Sequence, residues 1–403
     1  MSLTVKDNDS SLPIIKRLFS HNTLVSFLAV LLAVIVGGIL ICITDQGVQT
    51  ALGYFFARPT DTFVAMWKAV IGAYGALLEG SIFNPHASSF SGMIQPLTET
   101  LTVSTPLILA GLGVTVAFRA GLFNIGAQGQ IILGAVFATI AAIHLHLPLF
   151  LHLPLVIIFG AIGGALWGGI AGVLKAYTGA HEVIVTIMLN YIALNLVLFL
   201  LGLPFLQRPG ASNPISPILP DSAIFPLLLG SKYRLNWSFV MAVLAVFAVN
   251  WLLNKSTLGF KLRAVGSNDE ASETAGINVK TSFVIVMALA GALAGLAGVS
   301  QVSGTERVLT QGIAASFGFD AITVALLGRS TPWGTFFAGL LFGAFRAGGA
   351  AMQVSTGTPI DIVLVVQSLI VLFIAAPPLV RAIFRIKTPE EKALKAQKKV
   401  AKV

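Results

Sequence analysis

The chain has 403 residues, of which 56% are hydrophobic and 10% are charged, against roughly 25% charged in an ordinary soluble domain. That composition excludes a soluble enzyme. The apolar residues run in stretches of about 20, enough to cross a ~30 Å hydrocarbon core, so the chain reads as an all-α, polytopic membrane protein. Its net charge of +9 has to be tested against the Lys and Arg excess that membrane proteins keep on the cytoplasmic side before it suggests nucleic acid.

In chain order, uncharged runs predict membrane helices over 24–43, 100–118, 120–143, 153–174, 183–203, 236–253, 281–304 and 360–380. Two further runs are imperfect: 313–328 is short and contains Asp320, and 330–353 contains Arg346. Ten helices follow, divisible into two sets of five. Five is odd, so the second set would insert upside down relative to the first, the pattern of inverted repeats. The expected organisation is a cytoplasmic N-terminus (1–23), a first helix and long extracellular segment (24–97), a helical core (98–380) with an internal loop (255–280), and a basic tail (381–403). The stretch 63–78 is about 16 residues long, contains Lys68 and would invert every later loop, so it reads as an interfacial or extracellular helix. The first helix is too long for a cleaved signal and lacks a small-x-small site. Leu40-Ile41-Cys42 has the outline of a lipoprotein box, but Ile41 stands where a small residue is usual, so lipidation is not expected. A lone cysteine excludes an intrachain disulfide, and no Cys/His cluster has metal-site spacing.

Alternating the loops from a cytoplasmic N-terminus places eighteen basic residues inside and six outside, with Arg346 in the membrane, which accounts for all 25. Both termini therefore fall on the cytoplasmic side. The tail contributes eight of the eighteen and has a capping box at Thr388-Pro389-Glu390-Glu391. It reads as a helix near anionic lipid. No aromatics interleave its lysines, so nucleic-acid binding is not expected.

Inside a bilayer an unsatisfied polar group costs several kcal/mol, so polar residues within the spans carry information. The densest group is Asn124, Gln128 and Gln130 among glycines 121, 126 and 129, just after Arg119. A continuous helix would put Asn124 and Gln128 on one face, whereas the glycines permit a break or a close crossing. Lining a polar path and ordinary interhelical hydrogen bonding are both open for this group. Asn190, two turns into its helix, has the same two readings. Asp320 either pairs with Arg346 or caps its helix. His181-Glu182 is no zincin pair, since position 185 is Val. His144, His146 and His152 read as interfacial rather than metal-binding. There is no HExxH, no Ser/His/Asp cluster and no pair of acids within the spans, so no catalytic residue is expected.

In the loop 255–280, Ser267 or Asn268 can cap a short helix over 270–275 that Gly276 stops. Such a helix suits docking onto a soluble partner. No GxxxxGK[ST] occurs, so nucleotide chemistry must come from another chain.

The run from Leu262 to Ile277 (LRAVGSNDEASETAGI) resembles the coupling loop of ABC importer permeases of the branched-chain amino acid, ribose and nucleoside group. Three further segments, 121–130, 182–193 and 318–349, resemble the nucleoside branch, and the four occur in the family's order over about 98–380. The resemblance implies a permease subunit in a bacterial plasma membrane. Its partners would be a second similar permease, cytoplasmic ABC ATPases that use ATP-Mg, and an extracellular substrate-binding lipoprotein. The chain itself would bind no cofactor. The resemblance further implies ATPase contact through Arg263, Gly266, Asn268, Glu270, Ala271, Ala275 and Gly276. Asn124, Gln128, Gln130, Asn190, Asp320 and Arg346 are candidates for the path. The family commonly has Glu where this chain has Gln128, so a hydrogen-bonding role there survives and a charged one does not. Sugars and branched-chain amino acids are rival solutes. An ion-coupled secondary transporter is a rival class, with Asp320 as its only deep acid.

Overall fold

A backbone in hydrocarbon must satisfy its own N–H and C=O groups, so long apolar runs become helices. The structure, a computed structural model, describes residues 21–376, 379–380 and 383–384. The capping box at Thr388, most of the basic tail and the first 20 residues lie outside the described residues. Among the described residues eight helices are long and apolar enough to cross a membrane, or nine if a bent pair counts as one span. The described chain divides into two units.

The first unit holds α1 (His21–Thr44), α2 (Gln46–Gly53), the first part of α3 (Pro59–Ser81) and α14 (Ile360–Ala375). The axes of α1 and α2 differ by 66° across Asp45. The Asp45 carboxylate caps α2 by accepting from Val48 N at 2.9 Å. Thr62 Oγ1 donates to Ala51 O at 3.0 Å and ties α2 to α3, and α1 packs along α14. The expected 16-residue helix at 63–78 is corrected here. α3 has 23 residues, about 34 Å at 1.5 Å per residue, and Phe63, Val64, Trp67 and Ile71 lie exposed on it. Lys68 did not end it, because one charge on an exposed face costs a helix little.

The second unit runs from Tyr74 to Ser355. It contains the end of α3 and nearly all of α13 (Pro332–Thr356), with α4 (Phe90–Arg119), α5 (Ala127–His144), α6 (Leu149–Thr178), α7 (Glu182–Leu201), α8 (Ser238–Lys255), α9 (Thr257–Ser267), α10 (Asp269–Thr274), α11 (Val279–Val299) and α12 (Phe317–Leu327) between. Helix α11 is central and packs on α4, α5 and α6. Lipid tails are as apolar as leucine, so association rests on close packing rather than on a hydrophobic drive. Small residues supply it: Gly160, Gly164 and Gly168 on α6 meet the α11 side, where Gly291 and Gly295 bring backbone against backbone. The buried α4 joins α13 through a Thr115–Thr335 hydroxyl pair at 2.7 Å.

Loops at each end of this unit are tied together by polar contacts. At one end Arg119 Nε donates to Ser330 O at 2.7 Å, Gly121 touches the Gly266 backbone and Lys175 pairs with Glu182 at 2.9 Å. At the other end Ile215 bridges Thr310, Arg234 pairs with Glu99 at 2.8 Å and Leu219 N donates to Arg307 O at 2.9 Å. The three histidines form no cluster. His152 is fully buried, with Nδ1 at 2.7 Å from Ser222 Oγ, whereas His144 stacks on Phe205.

Candidate functional site

Two apolar runs stop being helical where glycines and polar side chains meet. The first break separates α4 from α5. Gly121 has φ +75°, a left-handed conformation that favours glycine, and a Cβ there would also meet the Gly266 backbone at 3.1 Å. Asn124 then turns the chain: its Oδ1 accepts from Gly126 N at 2.9 Å, and its amide exchanges bonds with that of Gln130 at 3.1 and 3.3 Å. Asn190 of α7 reaches in from the side, donating to Ile125 O at 2.9 Å and accepting from Gly129 N at 2.8 Å. The expected helix over 120–143 therefore begins only at Ala127, and Asn124 and Gln128 do not share a helix face. The side-chain amides outcompete helical hydrogen bonding by satisfying the freed backbone groups locally.

The second break follows α11, which ends in a π-helical segment, Ser300–Glu306, before Arg307 turns left-handed at φ 58°. The expected run over 313–328 becomes a loop followed by the 11-residue α12, about 16 Å long and too short to cross the core.

Gln128 clasps the two breaks together. Its Nε2 donates to Ala315 O at 2.6 Å and its Oε1 accepts from Gly318 N at 2.9 Å. Both ends of a neutral amide are thus in use, and a carboxylate could serve only the second contact. Gln128→Glu is expected to lose about 1 kcal/mol of stability, the net worth of an ordinary hydrogen bond, since the Ala315 contact is exposed and water can reach the freed carbonyl. Thermal unfolding of the purified protein in detergent would measure it; an unchanged midpoint would mean that the Ala315 carbonyl finds another donor.

Asp320 and Arg346 do pair. Arg346 lies 3.3 Å from Asp320 Oδ2 and donates to Ser316 Oγ at 3.1 Å, while Ser316 donates to Asp320 Oδ2 at 2.8 Å. The guanidinium also lies 4.3 Å from the centre of the Phe317 ring. A cavity of about 330 Å³ opens beside this group, walled by α4, the Arg234 loop, the π-helical segment, the second break and α13. Arg346 is on its wall, together with Glu99, Arg234, Gln301, Glu306 and Phe317. Asn124, Gln130 and Asn190 are buried behind the first break and do not line it. Sequence reading missed Glu99 and Gln301, although Glu99 is the last charge before an apolar run and Gln301 is the only amide in the run over 281–304.

At the opposite end of the bundle, the loop 255–280 is two helices. α9 was not anticipated. It packs Gly266 against the Arg119 carbonyl, and Arg263 lies half-buried on it. Asn268 caps α10 by accepting from Ala271 N at 2.8 Å, and Gly276 terminates it at φ +82°. Glu270 and Ala271 are exposed on α10, and Ala275 is exposed at its C-cap.

Apolar helices packed through glycine, two broken segments clasped side by side and a polar cavity beside them define a multi-pass membrane transport protein. The chain belongs to the family of the branched-chain amino acid transport system permease component, whose model matches residues 97–375. It is 35% identical over 368 residues to a guanosine ABC transporter permease of Bacillus subtilis (strain 168), covering 91% of this chain and 96% of that one. A nucleoside ABC transporter permease of Lactococcus lactis subsp. cremoris (strain MG1363) is 37% identical over 325 residues, 77% of this chain and 86% of the relative. A glucose ABC transporter permease of Haloferax volcanii is 37% identical over 288 residues, 69% and 75% of the two chains. No solved structure matches the chain.

Proposed function

We propose that this chain is a membrane permease subunit of an ATP-driven importer and that its solute is a nucleoside. The observation that carries the reading is the similarity to a guanosine permease across nearly the whole of both chains. The glucose permease relative favours a second reading, a sugar, since that match is of similar identity but covers less of each chain.

In this reading the solute moves past the two breaks, and the chain catalyses no reaction. Cytoplasmic ABC ATPases using ATP-Mg would drive the cycle by pushing on α10. A second, similar permease would complete the path, and an extracellular lipoprotein would deliver the solute. The end bearing Arg119, Lys175, Lys255, Lys261, Arg263, Lys280 and Arg329 is then the cytoplasmic one, in a bacterial plasma membrane. Lys6, Lys16 and Arg17 favour a cytoplasmic N-terminus as well, with α3, which contains Asp61, Lys68 and Glu79, lying along the outer surface.

Uptake of labelled uridine, guanosine, ribose, glucose and leucine by a strain lacking the gene tests the solute. Loss of nucleoside uptake alone is expected. Unchanged nucleoside uptake with loss of glucose or ribose uptake would replace the first reading by the second. Collapsing the ion gradient while ATP is maintained should spare transport; its abolition would instead point to an ion-coupled carrier.

A further inference from the structure

The 330 Å³ cavity is at the small end of the range for small-molecule sites, and its arginines are matched by acids. Two acids, Glu99 and Glu306, face two arginines, Arg234 and Arg346, with Asp320 holding Arg346 from behind. That lining suits a neutral solute rich in donors and acceptors and offers no excess positive charge for a phosphate. Two features go further. Gln301 lies on the cavity wall with only 6% of its surface exposed, and among the described residues no hydrogen bond engages its amide. The residue is buried but its amide opens onto the cavity with no protein partner among the described residues, so it is free to pair with a ligand there. It is held there by the π-helical segment Ser300–Glu306, a backbone irregularity that recurs at functional sites. Second, the Arg346 guanidinium carbon lies 4.3 Å from the centre of the Phe317 ring and the group is anchored by Asp320 and Ser316, yet its side chain remains 32% exposed. A guanidinium held this way offers a rigid planar surface, and such planes stack on nucleobases.

We propose that this cavity is a nucleobase site within the subunit, in which the Arg346–Phe317 pair stacks on the base and the Gln301 amide bonds to the base edge. The proposal rests on the nucleoside reading above and adds to it a place where the base is read. Amide side chains pair with base edges through matched donors and acceptors, and a sugar ring has no π face to lay against a guanidinium, so the stacking contact favours nucleosides over hexoses.

The test is photolabelling of the assembled importer in lipid nanodiscs with 8-azidoguanosine, with adducts mapped by mass spectrometry. Adducts are expected within 301–317 or beside Arg346, suppressed by excess guanosine and not by glucose. Gln301→Leu and Arg346→Lys should each reduce labelling about tenfold, the scale of one stacked or bidentate base contact. The lysine retains the ion pair with Asp320, so that variant keeps the anchor while losing the plane, and thermal midpoints matching the unsubstituted protein confirm that both variants are folded. Adducts only elsewhere in the chain, or equal labelling in two folded variants, would overturn the site. Glucose uptake without nucleoside uptake by the unsubstituted importer would instead overturn the functional reading on which the site depends.

Discussion

Gly164→Val is expected to leave almost no folded protein in the membrane, while Gly169→Val, five residues along the same helix, should be tolerated. A side chain at 164 would be driven into the carbonyl oxygen of Gly291 and the backbone of Gly295. Neither obstacle is a flexible side chain that can turn aside, so α6 and α11 would have to separate. The contact is reciprocal, since a side chain at Gly291 would strike the Gly164 carbonyl. Overpacking of a close core costs typically 1–3 kcal/mol and occasionally more. Separating two helices that share a seam of glycines falls at or above the top of that range, a large share of the ~5–15 kcal/mol that keeps a typical domain folded. At Gly169 the nearest atom to an added Cβ is Ala288 Cβ at 3.9 Å, ordinary contact distance. Size-exclusion profiles and thermal midpoints of the two variants in detergent make the comparison. A monodisperse Gly164→Val protein with an unshifted midpoint would sink this account of the core.

The break at 121–126 and the short helix on the internal loop were legible in the sequence because each depends on a local signal; the glycine seam of α6 and α11 has one too, but went unread. Glycines four apart mark a close crossing, an amide cluster beside glycine marks interrupted helix, and Asn268 followed by Gly276 brackets one short helix. What the amides do was not legible. Asn124, Gln130 and Asn190 bond mainly to one another and to backbone groups of the first break, and Asn190 comes from 60 or so residues away in the chain. Partner choice over such distances is set by packing, which no local pattern encodes. Gln128 shows the same limit more sharply, because its two contacts lie 187 and 190 residues distant. The pairing of Asp320 with Arg346 could be anticipated only because so few charges remain at membrane depth. Gln301 and Glu99 were overlooked for the opposite reason: at the end of an apolar run a polar residue looks like a boundary, and only the fold turns that boundary into a cavity wall.

Deleting residues 268–276 should abolish ATP-driven uptake while leaving the protein inserted in the membrane. The segment makes little of the core. Ser272 is buried, but its hydroxyl bonds to Asn268 O at 2.8 Å within the same turn, and the rest of α10 is exposed. The helix is nonetheless specified closely, with a side-chain cap from Asn268 and a stop in which Ile277 N donates to Ser272 O at 3.0 Å and Gly276 is left-handed. A six-residue helix cannot be stable alone in water, so capping at both ends keeps it formed on an otherwise exposed surface, as a rigid handle requires. Removing it should cost uptake almost entirely. Glu270→Lys, which leaves the caps intact and reverses one exposed charge, should lower uptake on the order of tenfold through like-charge or unpaired contact with the partner. Replacing Asn268 by Ala should cost about 1 kcal/mol of local helix stability and give an intermediate loss. The measurements are uptake in proteoliposomes and the amount of ATPase that co-purifies with each variant. The deletion and Glu270→Lys should reduce one or both with membrane levels unchanged. Normal uptake together with normal co-purification in the deletion variant would show that the ATPase docks elsewhere, and α9, with Gly266 wedged against the end of α4, would be the next surface to test.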